Sequence, residues 1–93
     1  MEEKLRKYFE NMYGEGIPYS AVIDGVRYEG LRYGNDECFD IDQFYQVVVS
    51  GDKAYKFYYD ADDAPNNDIN NIDYDNPLDI VELDDLDESD LDV

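Results

Sequence analysis

After Lys56 the chain contains no basic residue. Residues 60–93 hold fourteen Asp and Glu and neither Lys nor Arg, whereas residues 1–59 hold the other eleven acids and all 7 Lys and Arg. Like charges at that density repel one another and oppose compaction. A segment so acidic cannot bury enough apolar surface to offset its ordering entropy alone. Whatever folds must therefore fold around the first part of the chain. The expected organisation is a compact body over residues 1–59 followed by an acidic C-terminal segment over residues 60–93.

The charge also narrows the function. A net charge of -18 on 93 residues exceeds what solubility needs for a small domain. It suits a basic partner and repels the phosphates of nucleic acid, so no direct nucleic-acid binding is expected. The chain has no His, which removes the commonest general base and the commonest zinc ligand. Cys38 is its 1 cysteine, so no intrachain disulfide can form and a reducing compartment is expected. No enzyme, no cofactor and no metal site is expected. Counted from Asp60 as a calcium loop, position 6 falls on Pro65 where Gly is needed, and position 12 on Asn71 rather than Glu. The opening residues MEEKLRKYFENMYGEG hold no apolar run of signal-peptide length, and no stretch approaches a membrane span. The expected location is the cytoplasm.

Within the body, Leu5, Tyr8, Phe9 and Met12 follow helical spacing. They predict a helix over residues 2–13 with those four side chains on its buried face. Gly14 and Gly16 end it. Asp24-Gly25 is a two-residue hairpin turn between residues 19–23 and 26–31. It sets Ile23 opposite Val26 and Ala21 opposite Tyr28. Tyr19, Ala21, Ile23, Val26 and Tyr28 then share one face, and Ser20, Val22, Arg27 and Glu29 the other. Gly51-Asp52 joins residues 43–50 to 53–59, with Val48 opposite Tyr55 and Phe44 opposite Tyr59. Residues 33–42 read as a polar loop. The expected fold is α+β, an N-terminal helix packed on a four-stranded antiparallel sheet of two hairpins.

Beyond Asp60, Pro65 and a run of Asn read as irregular chain. Asn76-Pro77 then has the form of an N-cap and first helical residue, and Ile80, Leu83 and Leu86 lie on one stripe. That predicts a short helix. The same acid and apolar alternation also fits a segment that orders on a partner.

The candidate interface lies mainly here. Asp73, Asp75, Asp79, Glu82, Asp84, Asp85, Asp87, Glu88 and Asp90 supply charge, and Leu83, Leu86 and Leu91 supply apolar grip. Carboxylates two apart on an extended chain sit about 6.6 Å apart on one side. On a helix, those four apart sit about 6 Å apart. Either spacing resembles successive phosphates of one DNA strand. The opposing reading is a solvated acidic tail. Asp36, Glu37, Asp40 and Asp42, between the hairpins, form a second candidate patch against the reading of an ordinary polar loop. The 10 Tyr raise a further question, because Tyr45 and Tyr58 lie on the face opposite Tyr55, Phe57 and Tyr59. Either one of those faces is open for a partner or both are covered.

With its Asp- and Glu-rich segment from Asp60 onward and its acidic 36–42 loop, the chain resembles the phage-encoded inhibitors of host defence, the anti-CRISPR proteins and other DNA mimics. The resemblance is one of type: short, acidic, poor in cysteine, with a compact α+β body. It implies occupation of the basic nucleic-acid-binding surface of a Cas nuclease or effector complex, with carboxylates meeting the arginines that read DNA. A bacterial immunity protein against a basic nuclease toxin, which would work through a rigid folded surface, is the alternative. An acidic-tailed regulatory or chaperone module for a basic protein is a third reading.

Overall fold

The computed structural model describes residues 2–34, 38–40, 43–60 and 72–83. Helix α1 spans Glu2–Tyr13. Strands β1 (Ile17–Ile23), β2 (Val26–Tyr33), β3 (Phe39–Asp40), β4 (Gln43–Ser50), β5 (Lys53–Asp60) and β6 (Asp79–Glu82) follow. The sheet runs β1-β2-β4-β5-β6, antiparallel at every pairing, and β3 pairs with β4 beside that path. The fold is α+β.

Both hairpins form in the expected register, Ile23 opposite Val26 and Ala21 opposite Tyr28, then Val48 opposite Tyr55 and Phe44 opposite Tyr59. The first turn needs positive φ at both central residues, and Asp24 (φ 52°) and Gly25 (φ 80°) supply it. Gly30 is required for a different reason. A Cβ there would run into the Val49 carbonyl oxygen, at the point where β2 begins to pair with β4.

The strand β4 is buried on both faces, which explains its nearly continuous apolar run. On one face Leu5 and Phe9 of α1 pack over Tyr33, Val47, Val49 and Ala54. Burying side chains of that size contributes about 1.5–3 kcal/mol each. On the other face Tyr19, Tyr28, Phe44, Val48, Phe57 and Tyr59 form a second cluster with Cys38 and Ile72. Tyr19 on β1 reaches Phe57 on β5 with ring centroids 5.9 Å apart, although a flat sheet would separate those strands by about 14 Å. The sheet is therefore curled, with this aromatic face concave. Both faces carry packed apolar clusters, and Tyr45, Tyr55 and Tyr58 stay half-buried.

Three differences from expectation stand out. The helix stripe is rotated, so that Met12 is 48% exposed and Tyr13 stacks on Phe9 instead (6.3 Å, 7° between planes). The expected 33–42 loop contains ordered pairing. Tyr33 ends β2 and is buried, and β3 continues along the edge of β4 where β2 leaves it, with Tyr45 N–H donating to the Cys38 carbonyl (2.8 Å). Asp79–Glu82 is a strand, not the helix expected after Pro77. The amides of β5 would otherwise lie along an edge. Pairing there satisfies them, turns Ile80 inward beside Phe57, and suits the β-branched Ile80-Val81 pair. The sheet thus holds the four expected strands plus β3 and β6.

Candidate acidic interface

Every acid whose side chain is described is exposed. Several of the bases are engaged by the body. Arg27 meets Glu29 (3.0 Å) and Lys53 meets Glu82 (3.3 Å). Arg32 lies over the Tyr74 ring (3.7 Å) and donates to Gln46 Oε1 (3.2 Å). Lys56 lies over Tyr45 (4.6 Å).

The described part of the acidic segment is fixed to the sheet at two places. At the first, the Tyr19 and Tyr59 hydroxyls both donate to the Tyr74 carbonyl (2.7 and 2.9 Å). Arg32 covers the Tyr74 ring, and Ile72 is buried in the concave cluster. Burial, then the nearby Asp75 carboxylate, pushes the Tyr19 phenol up to about 12. Burial pushes Tyr59 higher still. At the second place, β6 adds to β5, and the backbone bonds Leu78 N–H to Tyr58 O (2.6 Å) and Leu83 N–H to Ala54 O (2.8 Å) flank it.

The expected interface residues divide accordingly. Asp73 is a turn residue: its carboxylate accepts from Asp75 N–H (3.2 Å) and from the Asn76 amide (2.6 Å). Asp75 is exposed beside it. Asp79 accepts from the N–H of Ile80 (2.9 Å). Glu82 is held by Lys53, whose ammonium pKa is raised chiefly by that hydrogen bond. Leu83 is half-buried and packs against the Leu5–Phe9 cluster. Asp40 lies in β3 opposite Gln43. Asp36, Glu37, Asp42, Asp84, Asp85, Leu86, Asp87, Glu88, Asp90 and Leu91 lie outside the described residues.

One feature of the surface was not legible in the sequence. The curl brings the Asp24-Gly25 turn towards β6, leaving an open groove of about 360 Å³ between them. Ile23, Val26 and Tyr28 line one side and Tyr55, Leu78 and Ile80 the other, with Asp24, Asp79 and Glu82 around them. Asp24 reads as a turn residue in sequence, and nothing local indicates that β6 arrives opposite it. Among the described residues no group of three or more potential ligands is placed to hold a metal ion, and no helix is long and apolar enough to cross a membrane.

Comparison with known proteins finds no matching family model, no similar curated protein and no similar solved structure.

Proposed function

We propose that this chain is an acidic DNA-mimic inhibitor that binds the basic nucleic-acid-binding surface of another protein, with a phage anti-CRISPR acting on a Cas nuclease or effector complex as the leading case. The observation that carries the reading is the net charge of -18, together with the exposure of every described acid. A charge excess held outward opposes folding and finds its use against a basic surface. The anchoring of residues 72–83 supports it further. Asp75, Asp79 and Glu82 project from a hydrogen-bonded scaffold, so little ordering entropy is lost when they are engaged. Under this reading the chain has no catalytic role and acts inside the bacterial cell.

The test is competition. The partner is first captured from bacterial lysate and identified by mass spectrometry. A gel-shift titration with its DNA follows. Protein and DNA are expected to exclude one another. A stable ternary complex with unaltered DNA affinity would rule out mimicry.

The immunity-protein reading is favoured by one specific observation: Asp24 and Glu82 are held by the folded sheet. Under that reading, removal of residues 84–93 leaves inhibition intact.

A further inference from the structure

We infer that the groove between the Asp24-Gly25 turn and β6 receives an arginine side chain of the basic partner. The inference rests on the reading that the partner is basic, and it names a particular contact within that reading.

The groove has two chemistries at once. Its walls are apolar. Val26 and Leu78 are 50% and 59% exposed, a state that removal from water would relieve. Tyr28 and Tyr55 meet edge to face within it (5.1 Å), and the concave aromatic column continues below through Phe57. Its ionisable groups are Asp24, Asp79, Glu82 and the Tyr28 and Tyr55 phenols, and no Lys or Arg lines it. Lys53 meets Glu82.

An aliphatic occupant would satisfy the walls and leave the carboxylates desolvated beside it. A compact cation would satisfy the carboxylates and leave the walls wet. A second copy of this chain brings a net charge of -18 against the same charge. An arginine answers both parts. Its methylene stem lies along Val26 and Ile80, and its planar guanidinium faces tyrosine rings and accepting carboxylates. The size agrees, because about 360 Å³ is at the small end of ligand sites.

The backbone sites that carry these acids are also set before any partner arrives. The backbone at Asp24 is set by the two positive φ angles of its turn. Glu82 lies beside Tyr55 in the sheet register and is steadied by Lys53 at 3.3 Å. Asp79 lies at the rim with its carboxylate accepting from the Ile80 N–H, so the pairing acids are Asp24 and Glu82.

The experiment uses the full chain, isotope-labelled, titrated with a nona-arginine peptide at physiological salt and followed by NMR. The inference expects the largest amide shifts at residues 23–28 and 78–82. D24N together with E82Q is expected to weaken binding about tenfold. Asn tolerates the left-handed conformation at position 24, so the turn is kept. V26K places a cation in the groove from an exposed position and is expected to weaken binding comparably, with an unchanged melting temperature. Shifts confined to residues 84–93, with affinity unchanged in both variants, would overturn the groove contact and leave the acidic-inhibitor reading standing. Failure of the peptide to bind anywhere would overturn both.

Discussion

At the scale of single residues, Tyr74 connects the acidic segment to the sheet. Its carbonyl oxygen accepts from two phenols, Tyr19 and Tyr59. A carbonyl with two donors remains satisfied after losing either one, so Y19F and Y59F are each expected to cost about 1 kcal/mol in urea unfolding. Together they leave the oxygen without either phenol and are expected to cost about 3 kcal/mol, more than the sum. Strict additivity would mean that the two bonds act independently. The same phenols set the alkaline limit of stability. Burial raises Tyr13, Tyr19 and Tyr59 above the ordinary tyrosine value of 10.0, Tyr19 to about 12. Above about pH 10 the unfolded chain releases protons that the folded chain keeps, so stability is full below that pH and falls as pH rises towards 12. Melting temperature and tyrosinate absorbance, followed together from about pH 8 to 12, should change in the same pH range. Ionisation of these phenols near their ordinary value with no loss of stability would contradict the burial.

At the scale of elements, the two edges of the sheet are managed differently. In β1, the pairing of Ile23 with Val26 across a two-residue turn turns the polar groups of Ile23, Ala21, Tyr19 and Ile17 towards β2. Pro18 falls on the outward set, where its missing N–H costs no ladder bond. The other edge is β6, which carries Asp79 and Glu82, and charge on an edge discourages pairing with further chains. β6 also makes the acidic segment part of the fold at Ile80 and Leu83. Truncation after Asp75 removes β6 and exposes the β5 edge, so it is expected to lower the melting temperature. Truncation after Leu83 keeps every described strand and is expected to leave melting unchanged or slightly raised through relief of repulsion. Only the second truncation separates the charge of residues 84–93 from the integrity of the sheet. Equal melting of the two truncated chains would show that β6 contributes nothing.

At the scale of the whole molecule, the proposed reading has charge steer association with a basic partner. Surface charges are screened beyond about 8 Å at physiological ionic strength. The association rate with a basic partner is therefore expected to fall about tenfold between roughly 50 and 300 mM salt. An on-rate indifferent to salt would remove the electrostatic account. Replacing Asp84, Asp85, Asp87, Glu88 and Asp90 by Asn or Gln removes five charges. Under the proposed reading, at roughly 0.5 kcal/mol each, the expected loss is about 2.5 kcal/mol, close to 70-fold in affinity for the captured partner by titration calorimetry, and unchanged affinity would remove these acids from the contact.

Local chemistry determined much of this protein in advance. The helix span, both hairpins and the registers of Ile23 with Val26 and Val48 with Tyr55 follow from a 3.6-residue period and from turns that constrain neighbouring residues. The concentration of acids is likewise legible without a fold. Tertiary structure alone decided the rest, because those features depend on groups far apart in sequence. Asp79–Glu82 has the composition of either a helix or a strand, and the neighbouring edge of β5 settled it. Met12 and Tyr13 compete for the sheet by direction of approach, which a helical period does not specify. Leu83 reads locally as an exposed leucine of the acidic segment, and its packing against the Leu5–Phe9 cluster depends on residues far away in sequence. The groove at Asp24 and Glu82 exists because aromatic packing curls the sheet and brings a turn and an edge strand together. That curvature is a collective property of five paired strands, and no single segment contains it.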